Sequence, residues 1–421
     1  MLAQRVSGTS VGLWLLVPEF LRLGIWDILK AWSGKGDMDF APRIALQKVN
    51  EYAICVNRVR KKNSMGHQGF QLVNGLGRLV SDEQVHFLLN THTMEQAQQM
   101  LINLGIQRQL SGHYSGDVIA VDPHRIISNS KRILAKKRKD PTFPSQKLLQ
   151  TFFSICTDTG QPIMATVSST GMPTTKATHN LIDATGQIIK RPSLLVADKE
   201  HFTQELFHLV KQHKFFNLLT PILNTDRIKK IINNLTYTPR WAGFSIAETL
   251  FNFDNDHNQY RLIAQRTGES LKNYSYNAFL TTSKDDPVKL ICENYDKRWT
   301  VEEFFRFENE MGINRASTLN LNIRYGMLAL AMIAQAGTYQ LRNNLFKNYK
   351  KWDANHLANE ILAWTEGDVR VEHDTIIVTV YNASKHLMLE KYINLPKILT
   401  KEGINPKIPW LFDYKLDFRF K

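Results

Sequence analysis

Asp117-Val-Ile-Ala-Val-Asp122, the run D-V-I-A-V-D that follows Gly116, marks a change of character in this chain. A short apolar run next to a turn former reads as a buried strand, and this one ends in an acid. Leu194-Leu-Val-Ala-Asp198 repeats the plan. Between them, His124–Ser130, Leu148–Thr157 and Pro162–Ser169 are rich in β-branched and aromatic residues. They read as successive strands, with Asp158-Thr-Gly160 as a hairpin turn. Thr174–Ile188 then reads as a helix, Ser193–Ala197 as a buried strand and Lys199–His213 as another helix. Antiparallel strands followed by alternating strand and helix predict a mixed α/β core.

On the N-terminal side the sequence is helical to about residue 112. Leu46, Val49, Ala53 and Val56 recur at helical spacing within Ile44–Lys61. Ser81-x-x-Gln84 and Thr93-x-x-Gln96 fit capping boxes, and the second opens a stripe of Met94, Ala97, Leu101 and Leu104 that stops at Gly105. These two helices read as a helical hairpin, or as a DNA-binding helix-turn-helix. On the C-terminal side, Trp241–Phe244, Glu248–Phe253, Tyr260–Gln265 and Asn273–Thr281 alternate like strands. From Tyr295 to about Asn344 the pattern is helical again, and Val369–Asn382 reads as a β-hairpin around His373-Asp374. Four segments follow: an all-α N-terminal domain at 1–112, a core at 113–225 and 289–350, a β-rich insertion at 226–288, and a C-terminal region at 351–421.

Hydrophobic residues make up 43% of the 421 and charged residues 22%. That is ordinary globular usage, able to bury a sizeable core. The formal net charge of +14 points to a polyanion, because Lys and Arg gain binding free energy by releasing phosphate counterions. Cys55, Cys156 and Cys292 form no C-x₂-C pair. This excludes a zinc finger, argues against a disulfide scaffold, and fits a reducing compartment. The apolar run Val11–Trp32 contains Pro18, Glu19, Arg22, Asp27 and Lys30. It therefore reads as core helix, not membrane span or signal peptide. Tyr325–Ala336 is too short to cross a bilayer. The expectation is a cytoplasmic, nucleoid-associated protein with no membrane partner.

A single strand-terminal Asp is ordinarily a turn former or helix cap. Two of them, Asp122 and Asp198, are also suited to hard divalent cations, which take oxygen ligands. A pair of such ions, roughly 3.5 to 4 Å apart, can activate a water or 3′-hydroxyl and stabilise the leaving oxygen of a phosphodiester. Tyr295, Arg298 and Glu302 have the i, i+3, i+7 spacing of one helix face. Were the helix to start at Thr300, Glu303 would be its cap and that alignment would be lost; a continuous helix keeps Glu302 facing the metals. Lys131–Lys139 (K-R-I-L-A-K-K-R-K) has six basic residues in nine. It reads as a solvated loop or as a phosphate-gripping segment of Lys131, Arg132, Lys136, Lys137, Arg138 and Lys139.

Together these stretches resemble the bacterial insertion-sequence transposases with an Asp-Asp-Glu triad on a ribonuclease-H-like fold. They resemble in particular the group with a Tyr-x₂-Arg-x₃-Glu-x₆-Lys signature. Tyr295, Arg298 and Glu302 match its first three positions, and V-I-A-V-D-P-H-R, D-T-G-Q-P-I, L-L-V-A-D-K-E-H-F and the ending W-L-F-D-Y-K-L-D-F-R-F-K are similar to that group. The resemblance runs from about Gly12 to the end. It implies Asp122, Asp198 and Glu302 as catalytic metal ligands for two Mg²⁺ or Mn²⁺ ions. It implies cleavage at element ends and strand transfer into target DNA. It also implies double-stranded DNA partners, both terminal inverted repeats and target, and a homodimer on DNA. The long gap between Asp198 and Glu302 is similar to members carrying a β-rich insertion there. An insertion aromatic that stacks on a flipped base is implied too, with Trp241 the candidate and Trp299 its rival; the plainer reading of either is a buried core Trp. The chain departs from the signature at its Lys, where Asn309 stands; Arg306, one turn from Glu302, is the substitute phosphate contact. That departure leaves two alternatives open, a catalytically inactive DNA-binding derivative and a nuclease without joining activity. Asp158 is a weaker competitor for the first metal position, since it sits in a turn.

Overall fold

The computed structural model describes residues 5–8, 10–34, 39–56, 68–128, 136–137, 144–169, 171–254, 256–313, 318 and 320–421. They pack as two units, Gly112–Phe304 and Met1–Ser111 together with Phe305–Lys421. The architecture is mixed α/β, with a β-rich part.

In the unit Gly112–Phe304, the described strands form one ten-stranded sheet. Gln161–Ser169, Gln146–Cys156 and Val118–Ile127 are antiparallel neighbours; Ser193–Ala197 and Phe216–Pro221 follow in parallel. Parallel neighbours require crossovers, and the helices Thr174–Ile188 and Gln204–Gln212 supply them. Val118–Ala120 and all of Ser193–Ala197 are buried, as expected for strands covered on both faces. The sequence put a strand break near Asp122. Instead one strand runs from Val118 through Pro123 to Ile127, paired with Gln146–Cys156 throughout. Proline lacks an amide hydrogen, but beyond Val121 the strand's other edge has no ladder to break. Lys199–His213, expected as one helix, is a 3₁₀ turn over Lys199–His201 followed by an α-helix capped by Thr203.

The β-rich insertion is continuous with the core sheet. After a helix at Asp226–Asn233, strands Thr238–Trp241, Phe244–Phe251, Tyr260–Thr267 and Ser275–Thr281 form an antiparallel meander. Its last strand pairs with Phe216–Pro221, through Leu280↔Thr220. The meander therefore extends the sheet at the edge that the parallel strands leave open.

In the other unit, Val11–Leu16, Val17–Arg22 and Ile25–Ser33 are short buried helices, and Phe40–Ala53 is buried along nearly its whole length. Both capping boxes form, at Ser81 and Thr93. The second helix runs on to Leu110, past Gly105, which is itself buried. It packs against Ile25–Ser33 and Leu321–Arg342, so these two capped helices form part of a helical bundle. Leu321–Arg342 buries Arg324, Gln335 and Arg342. Gln335 accepts from Arg108 at 2.8 Å, and Arg342 pairs with Glu308 at 2.7 Å. Buried polar groups need such partners. No helix among the described residues is long and apolar enough to cross a membrane. The expected hairpin forms as Gly367–Glu372 and Thr375–Val380. It joins Lys415–Phe420 on one side and Val6–Gly8 on the other, so the N-terminal segment is not purely helical. Packing thus unites the N-terminal helices with the chain after Phe305, where the sequence suggested separate segments.

Candidate active site

The parallel ladder between Val118–Ile127 and Ser193–Ala197 ends at Val121↔Ala197. The next residue on each chain is an acid. Side chains in register on parallel neighbours point to the same face, so this ending sets Asp122 beside Asp198. Asp198 leaves its strand as the cap of the following 3₁₀ turn, and its Oδ1 accepts from the Glu200 amide at 2.9 Å. It is thus a helix cap, the plain reading of such a residue, and also a neighbour of Asp122.

Glu302 comes from Thr300–Glu308, whose Val301 and Phe304 are buried. The Phe304 ring lies 5.7 Å from that of Phe153, and Phe153 is the cross-strand partner of Asp122. This contact holds the helix over the strand that carries the first acid. The approach to the helix is not the uniform α-helix expected from the sequence. Lys289–Asn294 forms a π turn, Asp296–Trp299 a 3₁₀ turn, and the α-helix begins at Thr300. The π turn precedes Tyr295, so only the 3₁₀ turn lies between Tyr295 and the helix bearing Glu302; Tyr295 and Thr300 keep helical backbone angles, and Arg298 stays beside Glu302. Arg298 Nη1 lies 3.8 Å from Asp122 Oδ1, and its Nη2 lies 4.0 Å from Glu302 Oε1. Tyr295 is within hydrogen-bonding reach of Arg298 and senses the charges of Asp198 and Asp122. Its ring packs edge-on to Phe279 at 5.0 Å. Burial pushes the Tyr295 hydroxyl above its ordinary range, so it stays a neutral donor near pH 7.

Burial also pushes the Asp122 carboxyl up, to about 7; Arg298 opposes the shift, while Glu200, Asp198 and Glu302 add to it. A carboxylate crowded by three others ionises fully only when a cation compensates. The donors are all oxygens, and their number and charge suit a hard divalent ion. Among the described residues, no three His, Cys, Asp or Glu side chains converge closely enough to hold a metal ion. The Arg298 guanidinium stands within 4.0 Å of two of the three acids.

Three contributors escape sequence reasoning. Glu200 is an acid within range of Asp122, and Arg125 grips it. Arg125 Nε also reaches Gln150 at 3.4 Å. His201, fully buried beside them, is held neutral by desolvation. Glu200 follows Asp198 by two residues, a signal the sequence did contain; its pairing with Arg125 needed the sheet. Asp158 lies at the hairpin turn, paired with Lys297 at 3.1 Å. Its carboxylate fills the space beside Gly116, where a Cβ would lie 2.1 Å from Oδ2. It braces the turn through these contacts.

Trp241 and Trp299, read most plainly as core residues, are 52% and 57% exposed. Trp241 stacks on Phe244 at 4.2 Å across the tip of its hairpin, and Arg298 lies over Trp299 at 5.0 Å. Arg306 and Asn309 are exposed. In the basic segment, Lys136–Lys137 pairs with Lys147 and Gln146 as a short strand, not a loop. Lys131, Arg132, Arg138 and Lys139 lie outside the described residues.

Residues 117–335, just over half the chain, match the model of the family described as Transposase DDE domain. No curated protein matches the sequence significantly. Among solved structures, the chain is similar to a piggyBac transposase, determined by cryo-EM as a synaptic complex with hairpin DNA. That similarity has a TM-score of 0.45 at 12% identity, over 86% of this chain and 82% of the other. The family match spans Asp122, Asp198 and the helix that carries Glu302, covers more than half of the chain, and on that ground the chain belongs to the DDE transposase domain family.

Proposed function

We propose that this protein is a DNA transposase of the bacterial insertion-sequence type, cutting element ends and joining them to target DNA. One observation carries the reading: the parallel ladder ends one residue before Asp122 and Asp198, and Glu302 is tied to Asp122 through Arg298. Asp122, Asp198 and Glu302 would hold two Mg²⁺ or Mn²⁺ ions, which supply an activated oxygen nucleophile and stabilise the leaving oxygen. The chain's own residues do the rest. Burial of Asp122 weakens its competition for solvent and strengthens its pull on a cation. Tyr295 donates its hydroxyl, and Arg298 and Arg306 supply positive charge for the phosphate near the cut. Lys136 and Lys137, with Lys131, Arg132, Arg138 and Lys139, would hold the DNA backbone outside the site. Trp241, exposed at the hairpin tip, is suited to stack on a displaced base, with Trp299 as the rival position.

The N-terminal helices would bind the terminal inverted repeats and the region 351–421 would support a homodimer joining two ends. Such a protein works on DNA in the cytoplasm, at the nucleoid. The test is incubation with Mg²⁺ and DNA carrying the inverted repeats that flank the reading frame. Cleavage with strand joining is expected. Cleavage alone would identify a nuclease, and binding alone an inactive derivative, the outcome that Asn309 in place of the signature lysine favours.

A further inference from the structure

The Arg298 guanidinium occupies an unusual position for a phosphate contact. It is nearly buried, with 13% of its side chain exposed. It stands 3.8 Å from Asp122 and 4.0 Å from Glu302, ion-pair distances that are too long for hydrogen bonds. Its Nε is buried with no hydrogen-bond partner. A buried donor left unpaired costs free energy, so this guanidinium is held by charge more than by directed bonds. Its remaining supports are the Trp299 face at 5.0 Å and Tyr295, and Trp299 is itself more than half exposed. The residue is therefore attracted by the acids, poorly satisfied where it lies, and adjacent to an open side.

Resting on the functional reading above, we propose that Arg298 is the resident counter-cation of the metal-free triad: it holds Asp122 and Glu302 together, competes with a divalent ion for them, and is displaced toward the DNA phosphate when that ion binds. Without it, Asp122 would face Glu200, Asp198 and Glu302 with the nearby Arg125 already taken up by Glu200, so the metal-free site would be strained. With it in place, the guanidinium stands between Asp122 and Glu302. Loading then exchanges one cation for another, and Arg298 becomes free for phosphate only once the acids are neutralised. Arg298 is in this sense a positioning residue, acting through the carboxylates.

Mn²⁺ titration followed by electron paramagnetic resonance, on the full-length protein without DNA, tests this. Arg298→Gln removes the competing charge and is expected to bind Mn²⁺ at least about fivefold more tightly than wild type, given the repulsion between a divalent ion and a cation roughly 4 Å away. Arg298→Lys, whose single ammonium cannot bridge both acids, is expected to fall between the two. In EDTA the Gln variant is expected to melt below wild type, with the deficit closing when Mn²⁺ is added. A purely structural role would leave the deficit in place. Unchanged or weaker Mn²⁺ binding by Arg298→Gln overturns the proposal, as does a Lys variant no tighter than wild type. Asp122→Asn serves as the control for the underlying reading. If it keeps wild-type Mn²⁺ affinity, the triad assignment fails; if it loses Mn²⁺ while the Arg298 variants match wild type, only the present inference fails.

Discussion

Replacing Asp122 by Asn separates this site from an ordinary buried aspartate, because it is expected to raise stability while removing activity. The Asp122 carboxyl has its pKa pushed from 3.8 to about 7. The folded state therefore binds this proton more tightly than the unfolded state does. The stabilising contribution is full below the unfolded value and is lost as the pH rises through about 7. Three pH units at 1.36 kcal/mol each put that loss at about 4 kcal/mol. A fifth of the side chain remains exposed, so solvent screening makes this an upper limit, and about 2 kcal/mol is a realistic figure. Asn is close in shape and has no proton to release. In EDTA the Asn variant should match wild type near pH 4 and exceed it at pH 8, by an amount that raises the melting temperature by on the order of 2 °C. Adding Mg²⁺ should reverse the order, since only wild type gains from binding the ion. Scanning calorimetry at the two pH values, with and without metal, decides the matter. A variant equal to or less stable than wild type at pH 8 in EDTA would refute the reasoning about crowded acids.

Other perturbations test the surroundings. Gly116→Ala would place a Cβ 2.1 Å from Asp158 Oδ2 at a φ of +70°, whereas Gly112→Ala at +74° meets nothing within 4 Å. Thermal unfolding should show the first variant less stable than the second by about 1–3 kcal/mol, and equal losses would mean that only the backbone angle matters. Phe304→Ala should cost roughly 3–5 kcal/mol and release the helix bearing Glu302 from Phe153; a loss under about 1 kcal/mol by denaturant titration would rule out that anchor. Lys136→Ala with Lys137→Ala should reduce the slope of log affinity against log salt by nearly 2 if each contacts one phosphate, and an unchanged slope removes them from the DNA path. Trp241→Ala should weaken binding of DNA with an unpaired base by about 1–3 kcal/mol while sparing intact duplex; fluorescence of 2-aminopurine at the unpaired position reports it, and equal effects on both substrates would deny stacking.

Much of this was legible in the residues, because the strongest signals are local. Thr174–Ile188 and Ser193–Ala197 lie where their patterns place them, and both capping boxes close at Ser81 and Thr93. The acids stood out because a carboxylate at the end of an apolar run is costly without a task. What the sequence concealed depends on neighbours distant along the chain. Asp122 sits mid-strand because Gln146–Cys156 continues to pair past Pro123 while the parallel partner stops. The insertion meander joins the core sheet because Phe216–Pro221 presents an open edge. The helical approach to Glu302 changes pitch twice, from a π turn ending at Asn294 to a 3₁₀ turn over Asp296–Trp299 and then to the α-helix, and no residue spacing announces either change. Glu200 stands two residues after Asp198, but its pairing with Arg125 and the burial of His201 beside it depend on the sheet.

The central claim is that Asp122, Asp198 and Glu302 share divalent metal. Crystals of the protein soaked in Mn²⁺ and measured at the manganese edge test it most directly. The expected result is an anomalous peak bridging the three carboxylates, with oxygens at roughly 2.1 Å as for a hard octahedral ion, and with the Arg298 guanidinium moved off Asp122. Manganese bound elsewhere, with the three acids unliganded at saturating Mn²⁺, would contradict it.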